Sequence, residues 1–196
     1  MGKDFASSLR PAIVMTLLFA LLLGIAYPLA LTAIGQLLFP HQANGSLILD
    51  KGRVVGSELL AQGFSADKYF HPRPSAAGKG YDPLASGGSN LGPASQTLHD
   101  RMAGDVKILQ ASVPGARVPL DLVTASASGL DPDITPEAAL YQIPRVARAR
   151  GIDEAQLRMI VAGATEHPLL GFLGEDRVNV LLLNRQLDSE SAKPAK

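Results

Sequence analysis

The most pronounced pattern along the chain is a long apolar run close to its beginning. Residues 11–40 contain no Asp, Glu, Lys, Arg or His, and the window 12–31 holds eleven Leu, Ile, Val or Phe residues. About 20 helical residues span the hydrocarbon core of a bilayer, and Pro28 permits a kink in such a helix. We therefore predict a transmembrane helix over residues 11–39, preceded by a short N-terminal tail over residues 1–10.

The basic residues before this run bear on its processing and orientation. Lys3 and Arg10 precede the apolar residues, as in a cleaved signal peptide, but the run exceeds the roughly 7–15 residues of a signal core and lacks a clear cleavage motif. An uncleaved anchor is the preferred interpretation. Lys51 and Arg53 nearly balance the charge on the other side, yet a long domain translocates largely regardless of its charge. We predict a cytoplasmic N-terminus and an extracytoplasmic main domain.

Small residues recur within the predicted transmembrane helix. Thr16, Ala20 and Gly24 are spaced every four residues, so they form a stripe against which a second transmembrane helix can pack closely. The stripe predicts partner-helix packing. The alternative is coincidence, because small residues are common in membrane helices.

Beyond the apolar run, the pattern predicts one folded domain over residues 41–187. Residues 46–56 contain two short apolar segments around an Asp-Lys-Gly turn, which predicts a hairpin. Between Gly63 and Pro93, proline and glycine recur so often that the sequence predicts a long irregular loop. Such loops are more often binding surfaces than spacers, and an ordered connector is the alternative.

Two helices are predicted later in the chain. The first has Thr135 as its N-cap and Gly151 as its stop, and we expect Pro144 to break or kink it midway. The second begins after Asp153 and carries apolar residues at helical spacing. Residues 177–184 start with β-forming residues and can continue as a helix.

Composition limits the classes of protein and partner. The 18 Lys and Arg residues balance the 18 Asp and Glu residues, so no field favours nucleic acid. The absence of cysteine excludes disulfides and cysteine-bound metals, and the four histidines have no spacing typical of a metal site. The polar end, residues 188–196, is typical of a disordered tail. The predicted fold class is a membrane-anchored α/β (mixed α+β) protein with a single soluble domain.

A glycine-rich stretch from Ser86 to Leu98 raises the question of phosphate binding, because clustered backbone N–H groups can hold an anion. The nearest match to a Walker A loop fails, because Arg73 stands at the first glycine position and Gly80 follows the Gly-Lys pair. A nucleophile elbow fails because Leu91 occupies its last glycine position. From the residues alone, the stretch is either a nucleotide cradle or a structural loop.

Three long segments carry a resemblance to a known family. They are YFHPRPSAAGKGYDPLASGGSNLGP, VPLDLVTASASGLDPDITPEAALYQIPRVARARG and LLGFLGEDRVNVLLLN, in this order after one apolar helix. Over residues 10–187 the chain resembles the C subunit family of the Kdp potassium-transporting ATPase. Asp133 stands where that family often has histidine.

The resemblance implies an accessory subunit of a bacterial inner-membrane complex, which itself neither hydrolyses ATP nor conducts potassium. The implied partners are a channel-like A subunit, a P-type ATPase B subunit and a small F subunit. The family is described as a catalytic chaperone that raises the affinity of the B subunit for ATP. The implied nucleotide contact is a segment likened to the Leu-Ser-Gly-Gly-Gln signature of ABC transporters, here Ser86, Gly87, Gly88, Ser89 and Asn90.

A different class of function stays open on the residues alone. An anchored extracytoplasmic enzyme or ligand-sensing domain would use a pocket lined by polar groups of the irregular loop. The candidates for that lining are Arg73, Asp82, Ser89 and Asn90. Such a protein would keep its activity or ligand binding without its helix, whereas an accessory subunit would be isolated with larger membrane partners.

Overall fold

The computed structural model of the chain describes residues 2–191. It divides into two compact units, with the division between Leu47 and Ile48. The first unit is almost entirely helical. Its elements are helix α1 (Gly2–Leu21), a π-helical turn (Leu22–Ala26), helix α2 (Tyr27–Leu38) and the short helix α3 (Pro40–Ala43).

The π-helical turn lies directly before Pro28. The N–H of Tyr27 donates to the carbonyl of Leu22, five residues earlier. In a regular helix the Pro28 ring would clash with the carbonyl of Gly24, and the wider turn accommodates it. Every residue from 7 to 38 except Gly35 is exposed. The helix Ser7–Leu38 is long and apolar enough to cross a membrane, which agrees with the predicted anchor.

The predicted hairpin opens the second unit. Strands β1 (Leu47–Asp50) and β2 (Arg53–Ser57) pair around Lys51 and Gly52, whose φ angles are 48° and 78°. Two consecutive positive φ angles are typical of a type I′ turn, which matches the twist of paired strands. The predicted irregular loop is also confirmed, because no helix or strand is assigned within residues 58–95, all of which are described.

Helix α4 (Gln96–Ser112) was not among the predicted elements. Ser95 caps its start, and the Ser95 hydroxyl accepts a hydrogen bond from the N–H of Leu98. The helix has no fully buried residue, but Leu98, Met102, Val106 and Leu109 recur at helical spacing and form its half-buried face, so the sequence did contain the signal for this helix.

Three further helices surround a small antiparallel sheet. The strands are β3 (Asp133–Ile134), β4 (Thr165–Glu166) and β5 (Arg177–Asn179), and β5 lies in the centre. The helices are α5 (Pro136–Arg150), α6 (Glu154–Gly163) and α7 (Val180–Ser191). The transition from β5 to α7 confirms the expectation that residues 177–184 begin as strand and continue as helix.

The predicted caps of α5 and α6 are present. The Thr135 hydroxyl accepts from the N–H of Ala138, Gly151 adopts the left-handed conformation, and the Asp153 carboxylate accepts from two backbone N–H groups. Pro144 lies inside α5 without breaking it. The residues on either side of it are held by packing, since Ile143 and Val146 are fully buried.

The core lies between the sheet and helices α5, α6 and α7. Its largest fully buried apolar side chains are Phe70, Ile134, Ile143, Leu157, Leu183 and Leu187. At the other end of the chain, α7 continues to Ser191, so residues 188–191 are helical rather than part of the expected disordered tail. Residues 192–196 lie outside the described residues.

Candidate functional site

The glycine-rich loop formed by residues 86–90 packs against a second loop, residues 125–129. The N–H of Gly87 donates to the carbonyl of Ser128 at 2.8 Å, and the Ser86 hydroxyl donates to the same carbonyl at 3.0 Å. We call this contact between the two loops the loop junction. It brings together residues about 40 positions apart in the chain without any regular sheet.

Two glycines lie where the loops approach closely. A Cβ atom on Gly88 would lie 3.1 Å from the carbonyl oxygen of Ala127. A Cβ atom on Gly129 would lie 2.6 Å from the carbonyl oxygen of Gly87 and 2.7 Å from the nitrogen of Ala77, and Gly129 has a φ of 66°. At Gly129 the backbones therefore meet at a distance that only glycine permits, whereas at Gly88 a Cβ would be a tight contact. Gly87 itself has open space where a Cβ would lie.

The geometry of residues 86–90 does not fit a phosphate cradle. A cradle needs converging free N–H groups, but the N–H of Gly87 already donates to Ser128, and the Ala127 carbonyl that faces Gly88 would repel a phosphate. Within the described residues, no lysine or arginine makes a hydrogen bond or ion pair to this loop. Ser89 and Asn90 are exposed, and the φ of Asn90 is 53°.

The irregular segment is fastened to the helices through two buried amide side chains. Asn184 accepts from the N–H of Phe70 at 2.8 Å and donates to the carbonyl of Phe70 at 2.9 Å. Gln142 does the same for His71, at 2.8 and 3.0 Å. Asn184 and Gln142 are nearly fully buried, at 1% and 2% exposure. Each amide thus replaces the sheet partner that an irregular segment lacks.

Arg145, on helix α5, also binds the irregular segment. Its guanidinium donates to Gln142 at 2.6 Å and to the carbonyls of Asp67 and Tyr69. Burial, and to a lesser extent the charge of Arg145, lowers the pKa of His71 below its ordinary value. His71 is therefore neutral around pH 7. Its backbone N–H and carbonyl, bound by Gln142, attach the irregular segment to helix α5.

A cavity of about 250 Å³ beside the sheet is lined mainly by charged side chains. Its lining includes five carboxylates and two arginines: Asp121, Asp131, Asp133, Glu175, Asp176, Arg73 and Arg177. Most of these groups are already paired, as in the ion pairs of Arg73 with Asp131 at 3.2 Å and of Arg177 with Asp133 at 3.4 Å. Burial raises the pKa of Asp133, against the opposing effect of Arg177.

The four residues expected to line a catalytic or sensing pocket are not brought together in this cavity. It contains Arg73 alone of the four, and the Arg73 guanidinium is bound to Asp131 and Thr124. Asp82 accepts from the N–H of Leu84, which closes a local turn. Among the described residues, no group of three or more His, Asp or Glu side chains could hold a metal ion.

The small residues of the helix extend beyond the predicted stripe. Ser8 and Ala12 continue the spacing of four residues before Thr16, and Thr32 lies two steps after Gly24, with Pro28 between them. In an α-helix such a stripe drifts by about 40° per step. The π-helical turn winds less per residue, so it offsets part of this drift at Gly24. Apart from the helix's own nearby backbone, no atom of the described residues lies within 4 Å of a Cβ built on Gly24.

Sequence reasoning assigned no role to an exposed apolar turn in residues 168–174. Leu169, Leu170 and Phe172 are 71%, 74% and 71% exposed, and Leu173 is 54% exposed. The turn is closed by a hydrogen bond from the N–H of Leu173 to the carbonyl of Leu169 at 3.1 Å. The signal was present in the sequence as four large apolar residues around one glycine.

Fold and sites together define a protein with one long helix, among its described residues, that is apolar enough to cross a membrane, followed by a folded domain of mixed helices and strands. The family model described as K+-transporting ATPase, c chain, matches residues 9–189. The chain therefore belongs to the C-chain family of the potassium-transporting Kdp ATPase, as the sequence resemblance predicted.

Individual relatives agree with the family match. A "Potassium-transporting ATPase KdpC subunit" of Caulobacter sp. (strain K31) is 56% identical over 184 residues, which cover 93% of this chain and 94% of that protein. A protein of the same name from Rhodopseudomonas palustris (strain TIE-1) is 51% identical over 196 residues, covering 94% and 98%. Potassium transport by the Kdp system is thus the process in which this family takes part.

Proposed function

We propose that the chain is the accessory subunit of a high-affinity, ATP-driven potassium uptake complex. In this role it assembles with the ion-conducting A subunit, the ATP-hydrolysing B subunit and the small F subunit, and stabilises them. The observation that carries the proposal is the family match over residues 9–189, joined to an N-terminal helix apolar enough to cross a membrane. The chain's own residues would bind and position partners rather than perform chemistry.

Gentle purification tests this proposal directly. The chain with a C-terminal tag should be recovered in mild detergent together with larger membrane subunits, in a fixed ratio. A chain that is recovered alone, with an activity or ligand of its own, would support the anchored enzyme or sensor instead.

We further propose that the stripe of Thr16, Ala20 and Gly24 is the packing surface for a partner helix. Gly24→Leu should reduce the recovery of partner subunits several-fold, because a leucine prevents close approach of two helices. The change meets open space within this chain, so membrane insertion should be unaffected. Ala26→Leu, on the opposite side of the same π-helical turn, is the matched control. Equal recovery of partners with both variants would show that the exposed domain alone holds the complex.

We propose that the N-terminus is cytoplasmic and that the second unit lies outside the inner membrane. The support is the position of Arg10 next to the apolar run and the length of the domain that follows it. The chain has no cysteine, so Lys79→Cys introduces a single label site on an exposed residue. It should react with an impermeant maleimide in intact spheroplasts. Labelling that requires lysis would reverse the orientation.

For the loop junction we propose a role in shaping the domain for contact with partner subunits. The support is that the backbone of Gly87 and Gly88 is occupied by Ser128 and Ala127. The resemblance also implies that this family raises the affinity of the catalytic subunit for ATP. In our proposal that effect arises through assembly, because residues 86–90 would stand on the side of the membrane without ATP.

A further inference from the structure

The apolar turn, residues 168–174, has a defined backbone conformation. Leu170 and Gly171 have φ angles of 57° and 79°, and the N–H of Gly171 donates to the carbonyl of Pro168 at 3.0 Å. Leucine rarely adopts a left-handed conformation, in which glycine or asparagine is far more favourable. An exposed leucine at this position therefore adds apolar surface at a cost to the stability of the turn, which points to a use for its side chain.

The surroundings of the turn are acidic. Glu166, Glu175 and Asp176 flank it together with Arg177, which is paired with Glu166. The adjoining cavity adds three further carboxylates and one further arginine, Arg73, so negative charge remains in excess. His167 and Asp176 are joined at 2.8 Å across the base of the turn. The acidic residues at the base of the turn would be repelled by anionic lipid headgroups. Together with the apolar side chains at its tip, they complement a protein cleft that is apolar inside and basic at its rim.

The size of the patch also limits its partner. A stable free-standing dimer uses roughly 20–30 residues on each side, far more than the four side chains of this turn. A contact of this size suffices when the two proteins are already held together elsewhere, because the effective concentration is then high. The N-terminal helix provides such a second attachment, and this step rests on the proposed function.

We propose that residues 169–173 insert into an apolar cleft, bordered by lysine or arginine, on another subunit of the same potassium-transporting ATPase. The turn is the docking element of the second unit. Its contribution to binding should weaken as salt is raised, because the acidic base and the basic rim are screened.

Site-specific photo-cross-linking tests the proposal in the intact complex. A benzophenone amino acid at Phe172 of the full-length chain, co-expressed with the other subunits, should yield one adduct with a partner subunit. Peptide mapping should place that adduct beside lysine or arginine. The same probe at Leu84, which is 96% exposed elsewhere in the second unit, should yield no such adduct. An adduct with lipid or with a second copy of the chain, or no adduct, would overturn the proposal.

A pair of substitutions provides a second measurement. Leu170→Asn with Phe172→Ser should weaken partner binding by about ten-fold or more, as for interface hot spots. Asparagine suits the left-handed conformation, so the turn should remain formed. Leu84→Asn is the matched control. If the wild-type chain recovers no partner subunits, the proposed function itself fails; if it recovers them and the double variant binds equally well, only the docking role fails.

Discussion

Asn184→Leu should lower the free energy of unfolding of the second unit by about 2–4 kcal/mol. Leucine removes both hydrogen bonds to Phe70, and each buried backbone group left without a partner costs roughly 1–3 kcal/mol. Water cannot replace the lost bonds, because Asn184 is 1% exposed and Phe70 is fully buried. For a domain of this size the melting temperature should fall by about 5–15 °C. Thermal unfolding of the full-length chain in detergent measures this effect.

Gln186→Leu is the control for this substitution. It also replaces an amide with leucine on the same helix, but Gln186 is exposed and its side chain bonds to that of Glu190. Its effect should stay within about 0.5 kcal/mol. Similar losses for the two variants would mean that helix propensity, and not the buried amide, controls the stability.

The predicted elements were those whose signals are local. The hairpin around Gly52 and the capped helix from Thr135 to Gly151 depend on turn and cap residues, which act within a few positions of the chain. Helix α4 was missed although Leu98, Met102, Val106 and Leu109 recur at helical spacing, because the charged residues and Gly104 between them weaken the helical signal. The strands of the second sheet have two or three residues each, too few for an alternating pattern to be recognised.

The candidate sites were less predictable, because they depend on contacts between distant residues. The buried bonds between Asn184 and Phe70 join positions 114 residues apart, and nothing near Asn184 distinguishes it from an exposed amide. The loop junction is a similar case. The glycines of residues 86–90 were recognised as a close-approach signal, but the partner that approaches is the backbone of residues 127–129. Sequence alone could not distinguish that backbone from a phosphate.

Gly129→Ala should disrupt the loop junction, and with it the turnover of the assembled complex. Alanine in the left-handed conformation costs about 1–2 kcal/mol. Its Cβ would also lie 2.6 Å from the Gly87 carbonyl and 2.7 Å from the nitrogen of Ala77, so one loop has to move. We expect a loss of stability above 2 kcal/mol and several-fold lower potassium-dependent turnover. Gly115→Ala, at a φ of 79° in open space, carries the conformational cost alone and should lose about 1 kcal/mol.

Gly87→Ala separates the structural role of the loop from nucleotide contact. Beyond its two neighbours in the chain, its Cβ meets no atom of the described residues within 4 Å, so the loop junction should remain intact. The added methyl group would, however, obstruct any phosphate that approaches this backbone. The reconstituted complex should be titrated separately in ATP and in potassium. If the loop shapes a docking domain, Gly87→Ala leaves both half-saturation constants unchanged while Gly129→Ala lowers turnover. A selective rise in the ATP constant of Gly87→Ala would instead establish that the loop contacts nucleotide.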